Sequence, residues 1–235
     1  MNPLLTYENA KTTKGETLGI LTAILYLAPS NLSGTDICPK ASDGCRAACL
    51  FTAGRGAFQN VHDARMRKTL QFLDDKTAFI VLLDYEIMKA KKKASKLGLK
   101  LAVRLNGTSD ILWERLKLSA VSGSLIESHS DVQFYDYTKI SSRFNRAIAP
   151  NYSLTFSKSE TNKNEALKLL KLGHNAAVVF STKRGEALPN EWHGFKVIDG
   201  DDHDVRFLDP RGVVVGLRAK GKGRKDMSGF VERVA

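Results

Sequence analysis

Short apolar runs alternate with longer, charged segments along most of the 235-residue chain, and this alternation constrains the fold more than any other feature. Runs rich in Val, Ile, Leu and Phe that end near Gly, Pro or Asn are typical of buried strands. The first run, LGILTAILYL, is continuously apolar, as expected for a strand covered on both faces. The runs that predict strands are 18–27, 99–107, 131–137, 151–157, 175–181, 195–200 and 212–221.

The segments between the first five runs have the spacing of amphipathic helices. Consecutive parallel strands need a long crossover, which is usually a helix, so this order is typical of a parallel α/β sheet. We therefore expect one α/β domain over residues 1–235, with a mostly parallel sheet, open or curled into a partial TIM-like barrel with outer helices. The predicted helices are 58–73, 76–98, 110–121, 138–147 and 160–173.

The longest apolar run, LGILTAILYLA, is shorter than the roughly 20 residues that cross a bilayer. The first residues, MNPLLTYENAKTTKGE, are polar and lack the apolar centre of a signal peptide. These features predict a cytoplasmic protein with no membrane partner.

All three cysteines of the chain, Cys38, Cys45 and Cys49, lie in the stretch CPKASDGCRAAC. An odd number of cysteines and a cytosolic location argue against disulfides. A structural zinc site normally needs four ligands, whereas three thiolates suit a [4Fe–4S] cluster with one open iron. We expect such a cluster in the loop 29–56, with zinc and a metal-free loop as the alternatives.

Polar side chains follow several of the predicted strands. In parallel α/β sheets and barrels, functional residues lie at the carboxyl ends of the strands, which is also where the cysteine loop begins. Each of these residues could also be a helix cap or a rim residue. The predicted catalytic residues are Arg104, Asn106, Asp110, Lys158 and Glu160, and Ser109, Asp136, Lys139, Ser157 and Lys183 lie at the same strand ends.

The formal net charge is +11, which indicates either a polyanionic partner or a solubilising surface. In the C-terminal segment 213–226, four cations recur at every second residue. If the strand continues through them, they form a ladder on one face that could contact DNA or RNA, whereas a disordered basic turn is the alternative. The four cations are Arg218, Lys220, Lys222 and Arg224.

The preceding loop, DGDDHDVRFLDP, is acidic. Carboxylates are the ligands that Mg²⁺ and Mn²⁺ prefer, so Asp199, Asp202 and Asp204 could hold a divalent ion if the protein is a nuclease. A solvated turn is the other interpretation.

Three stretches together resemble the gene-product-88-like family of phages: SGTDICPKASDGCRAACLFTAGRG, RLNGTSDI and DGDDHDVRFLDPRGVVVGLRAKGKGR. The resemblance extends over most of the chain and implies a phage protein that acts in the host cytosol, with a host or phage protein as a further partner. The cysteine loop after the first strand is also similar to the layout of radical S-adenosylmethionine (SAM) enzymes. Its spacing is C-x6-C-x3-C where those enzymes have C-x3-C-x2-C, and RLNGTSD stands where their amine-binding segment is expected.

The function expected from the sequence is that of a phage-type [4Fe–4S] protein that binds or processes nucleic acid. A radical SAM-type enzyme that uses the open iron is one alternative. A non-catalytic redox or adaptor protein that contains the cluster is the other.

Overall fold

Seven parallel strands form the centre of the structure, a computed structural model that describes residues 3–7, 10–118 and 123–234. They correspond to the seven predicted runs. The strands are β2 Ile20–Leu25, β3 Lys100–Arg104, β4 Gln133–Thr138, β5 Tyr152–Ser157, β6 Ala176–Phe180, β8 Phe195–Asp199 and β9 Val214–Arg218. Their order in the sheet is β2-β3-β4-β5-β6-β9-β8, so the first five follow each other in chain order and the last two are exchanged.

Three two-residue strands complete the sheet: β1 Leu5–Thr6, β7 Glu191–Trp192 and β10 Val231–Glu232. Strands β1 and β7 are antiparallel edge strands, and β10 joins β6 where the pairing with β5 ends. The path runs from β1 to β7 without closing, so the structure confirms a mostly parallel α/β fold but not the expected barrel.

The helices are α1 Ala10–Glu16, α2 Asp43–Ala47, α3 Gln59–Asp74, α4 Lys76–Lys96, α5 Leu125–Ser128 and α6 Lys163–Lys171. The long helices α3 and α4 and the amphipathic α6 agree with the sequence prediction. The short 3-10 helices are Leu50–Thr52, Gly54–Ala57, Trp113–Arg115, Ser141–Asn145, Arg206–Leu208 and Gly221–Lys225.

Two predicted helices are wrong. Within 110–121 only a 3-10 turn forms, because the Asn106 Oδ1 accepts hydrogen bonds from the Ile111 N–H and Trp113 Nε1 and holds the chain in a tight turn; residues 119–121 lie outside the described residues. Within 138–147 a 3-10 turn forms instead, and it turns the buried Arg143 towards Glu114 at 2.8 Å.

The two faces of the sheet have different covers. One face packs against α3 and α4 around Phe79, Leu83 and Trp113, and against α6 further along the sheet. On the opposite face Ala102 and Tyr135 pack against Val205 of the loop between β8 and β9. Because side chains alternate along a strand, the next inward residues, Arg104 and Tyr137, lie on this second face, closer to the carboxyl ends.

The loop between β8 and β9 is joined to the sheet by a buried ion pair. The Asp204 carboxylate lies 3.0 Å from Arg104 Nη1, and both side chains are at least nine-tenths buried. The Tyr135 hydroxyl donates a hydrogen bond to the same carboxylate at 3.3 Å. This contact is a buried polar link between the sheet and the cover of its second face.

Removing the charge of Asp204 should therefore destabilise the protein. Asp204→Asn leaves the buried Arg104 without its counter-charge, which typically costs about 3–5 kcal/mol. The matched change Asp202→Asn, on the exposed side of the same loop, should cost less than about 0.5 kcal/mol. Urea unfolding of both variants measures the difference, and equal stabilities would contradict this account.

Candidate ligand-binding site

A cavity of about 440 Å³ lies at the carboxyl ends of the parallel strands. Its floor is the second face of the sheet, where Arg104, Tyr137, Ala177 and Val179 point inward, and its roof is the cysteine loop. The volume is in the range typical of small-molecule sites. The location agrees with the prediction that function lies at this edge of the sheet.

Glu160 holds the roof in place. Its carboxylate accepts hydrogen bonds from the Ser42 hydroxyl and the Gly44 N–H, both at 2.7 Å, at the start of α2. A Cβ at Gly44 would lie 2.1 Å from Ser228 Oγ and 2.8 Å from Glu160 Oε1, so only glycine fits there. Glu160, a predicted catalytic residue, does not line the cavity but positions the helix that carries Cys45.

The three cysteines line the cavity as free thiols. Cys38 Sγ accepts a hydrogen bond from the Ser30 N–H at 3.2 Å and donates one to the Thr108 carbonyl at 3.6 Å. Burial raises the pKa of Cys38 to about 12, and burial also raises the pKa of Cys49. Both are therefore neutral thiols near pH 7 rather than thiolates.

The predicted [4Fe–4S] function is wrong. Across residues 3–7, 10–118 and 123–234, no group of three or more His, Cys, Asp or Glu side chains is arranged to hold a metal ion. Cys38, Cys45 and Cys49 share a loop and a cavity, but their sulfurs do not form a ligand set. The two alternative functions also required the cluster. SAM cleavage at an open iron and a cluster-containing adaptor are therefore wrong as well.

The floor of the cavity contains two hydrogen-bond donors without acceptors. Arg104 stacks on the Tyr137 ring, with 4.6 Å from Cζ to the ring centroid. Its Nη1 binds Asp204, but the buried Arg104 Nε and the buried Tyr137 hydroxyl have no hydrogen-bond partner among the described residues. Burial opposes the charge of Arg104, but the Asp204 carboxylate and the neighbouring tyrosines together outweigh burial and raise the pKa of the guanidinium, which is permanently charged.

Lys139 brings a further cation to the cavity wall. Its ammonium donates a hydrogen bond to the Ser157 hydroxyl at 2.7 Å and lies 5.7 Å from the Phe230 ring centroid. Within the described part of the chain it forms no ion pair with a carboxylate. The backbone N–H of Lys139 donates to Asp110 at 2.8 Å, which holds the start of this loop against the neighbouring one.

Asn106 and Asp110 line the cavity, but their polar atoms are engaged in the wall. The Asn106 N–H and side-chain amide donate to Asp136 at 2.7 and 3.2 Å. Asp110 lies 3.4 Å from Arg143 Nη1, and burial raises the pKa of this carboxyl. Burial likewise raises the pKa of Asp136 to about 6. The catalytic role expected of Asn106 and Asp110 stays a prediction.

Lys158, another predicted catalytic residue, is buried outside the cavity lining. Its ammonium donates to the Gly229 carbonyl at 2.7 Å and pairs with Glu232 at 2.5 Å. These contacts attach the C-terminal segment, including β10, to the end of β5. Lys183 also lies outside the lining of this cavity.

The expected basic ladder does not form, because β9 ends at Arg218 and residues Gly221–Lys225 form a 3-10 helix. Arg218 pairs with Asp199 at 2.7 Å, and Lys220 pairs with Asp201 at 2.5 Å. Contact of Lys222 and Arg224, which are exposed, with nucleic acid stays a prediction.

Carboxylates of the acidic loop are engaged in ion pairs with cations of the chain. Asp199 binds Arg218 and Asp204 binds Arg104, and among the residues described these two and Asp202 are not part of a metal-holding group. Two of the three carboxylates proposed for Mg²⁺ or Mn²⁺ thus neutralise cations of the chain itself, and the third, Asp202, is exposed.

Sequence reasoning missed two residues of the site. Tyr137 lies in FYDYTK, two residues after Tyr135, so the two side chains lie on the same face of the strand. The sequence alone does not show that this face borders the cavity. Arg65 lies inside a helical segment among other cations, so its burial behind the cavity wall has no sequence signal.

These features define an α/β protein with a parallel sheet and a cation-rich cavity at its carboxyl edge. The sequence profile of the gene product 88 family matches residues 3–234, and the chain belongs to that family. The resemblance seen in the sequence is thereby confirmed over almost the whole chain. No curated protein and no solved structure matches the chain significantly.

None of the helices in the described ranges combines the length and the apolarity needed to cross a bilayer. The cytoplasmic location and a protein partner stay predictions.

Loss of the Glu160 charge should loosen the roof of the cavity. Glu160→Gln weakens two hydrogen bonds to a carboxylate, each worth about 1.5–3 kcal/mol. Amide exchange of residues 42–48 should accelerate by at least about tenfold. Glu165→Gln, an exposed carboxylate nearby, is the control. Exchange that is equally slow in both variants would show that Glu160 does not hold the roof.

Asp136 should make stability depend on pH. Its pKa of about 6 in the folded state exceeds the usual 3.8, so the native state binds the proton more tightly and loses stability as the pH rises through this window. The loss is about 3 kcal/mol between about pH 4 and pH 7. Urea unfolding at both pH values measures the difference in free energy of unfolding between the wild type and Asp136→Asn. This difference should change by up to that amount between the two pH values. The same difference at both pH values would contradict the prediction.

Proposed function

We propose that the protein binds a small organic anion, with carboxylate or phosphate oxygens, in the cavity at the carboxyl edge of the sheet. The observation that carries the proposal is the pair of buried donors, Arg104 Nε and the Tyr137 hydroxyl, for which residues 3–7, 10–118 and 123–234 provide no acceptor. Buried polar groups without partners are costly, and they are rare in native proteins. Both atoms are covered in the structure, so the oxygens of an anion would supply the missing acceptors after the Arg104 and Tyr137 side chains turn these donors towards the cavity.

The charge around the cavity supports an anionic ligand. Five cations line the wall against one carboxylate, Asp110. Arg46, Arg104, Arg218 and Lys220 have acidic partners, whereas Lys139 has none among the described residues. A bound anion would give Lys139 a charge-assisted hydrogen bond, which is about twice as strong as a neutral one.

The remaining wall suits the carbon part of such a ligand. Leu50, Phe51, Val179, Leu217 and Phe230 line the cavity with apolar side chains. A few converging polar groups within an apolar wall are typical of sites that orient one end of a ligand and bury the rest. The neutral thiols extend this weakly polar surface across the roof.

Calorimetric titration with carboxylates and phosphate monoesters, each beside its neutral amide or alcohol, tests the proposal. The anions should bind and the neutral analogues should not. Tyr137→Phe removes only the hydroxyl and should weaken binding by about 10-fold or more, as should Lys139→Met, because each removes a hydrogen bond to a charged group.

Lys40→Met is the control, because Lys40 is exposed and lies outside this cavity; it should bind like the wild type. If anions bind no better than their neutral analogues, or if folded Tyr137→Phe binds them as tightly as the wild type, the proposal fails.

A further inference from the structure

Arg65 is a buried cation directly behind the cavity wall. It lies on α3 with 8% of its surface exposed, and its guanidinium Cζ is 5.0 Å from the Tyr26 ring centroid and 5.4 Å from that of Phe51. Its Nε and Nη1 are buried and have no hydrogen-bond partner in the part of the chain that the structure describes. The two rings hold the guanidinium in place by cation–π contact.

The described residues also provide no counter-charge for Arg65, since it forms no ion pair there. A buried charge is normally paired, because the interior solvates it poorly. The ionisable groups that interact with it electrostatically are Tyr26 and Cys49. Burial keeps the Cys49 thiol protonated near pH 7, so this sulfur does not compensate the charge either.

Arg65 is close enough to the cavity for its charge to act there. Phe51 and Cys49, its neighbours on that side, both line the cavity. Arg65 lies over the Tyr26 ring, and Tyr26 interacts electrostatically with both Arg65 and Arg104. Across a thin wall of low polarity the attraction between a cation and an anion is much stronger than in water.

We infer that the ligand carries two anionic groups, one held by Arg104, Tyr137 and Lys139 and the other placed at the Phe51–Cys49 wall, where Arg65 supplies the counter-charge. Arg65 is thus the specificity-determining residue that selects dianions over monoanions. This inference rests on the proposed function, because it concerns a second group of the same ligand.

The test compares linear dicarboxylates with monocarboxylates of equal chain length by calorimetry, in the wild type, Arg65→Met, Arg65→Lys and Arg67→Met. The wild type should bind the best dicarboxylate at least about tenfold more tightly than its monocarboxylate partner. Arg65→Met should abolish this ratio and leave monocarboxylate affinity within about twofold. Arg65→Lys should keep most of the ratio. Arg67→Met, an exposed arginine on the same helix, should keep all of it.

Monocarboxylates that bind without any dicarboxylate preference in the wild type would overturn the inference and leave the proposed function standing. An unchanged preference in folded Arg65→Met would also overturn it. Failure of both ligand series to bind would instead overturn the proposed function and the inference together. If Arg65→Met does not fold, the wild-type ratio and its retention in Arg65→Lys decide the question.

Discussion

The cavity depends on the buried ion pair between Arg104 and Asp204, which joins the sheet to the loop that covers its second face. This pair is the most deeply buried of the ion pairs that join this loop to the sheet, because the Asp201 and Arg218 side chains of a second pair are 19% and 15% exposed. The Arg104–Asp204 pair also orients the guanidinium. With Nη1 bound to Asp204 and the plane stacked on Tyr137, Arg104 Nε is left on the floor without an acceptor.

Charge is distributed so that most cations near the site are neutralised by the chain itself. Asp199 and Asp201 pair with Arg218 and Lys220, and Asp204 pairs with Arg104. Among the described residues, Lys139 and Arg65 form no ion pair with a carboxylate. Natural proteins tolerate unsatisfied groups mainly where function requires them, and stability supplied elsewhere offsets the cost.

Much of the fold follows from local sequence, because each of the seven apolar runs has the length and composition of a strand and each long helix has a regular apolar face. The errors arise where side chains compete with the backbone. Asn106 lies before the segment DILWERLKLSAV and accepts a hydrogen bond from the Ile111 N–H, so a turn forms where a helix was predicted. Nothing within the segment itself indicates this contact.

The site was less predictable, because its chemistry depends on tertiary contacts. The cysteine spacing is compatible with a cluster, but the helix that carries Cys45 is positioned by the Glu160–Gly44 contact across 116 residues. The acidic and basic C-terminal loops suggested a metal and a polyanion, and instead they pair with each other across 17 to 19 residues. Spacing shows which groups are near each other in the sequence. It does not show which ion-pair or hydrogen-bond partners they have in the folded protein.

The central claim is that Arg104 Nε is an available donor for an anionic ligand. Nuclear magnetic resonance of arginine Nε–H groups, with the Arg104 signal assigned by its loss in Arg104→Lys, observes this atom directly. The account predicts a saturable downfield shift of the Arg104 Nε–H proton on titration with a dicarboxylate, and no shift with the matching diamide. A signal that stays unchanged in the presence of the anion, or that moves equally with the diamide, would contradict it.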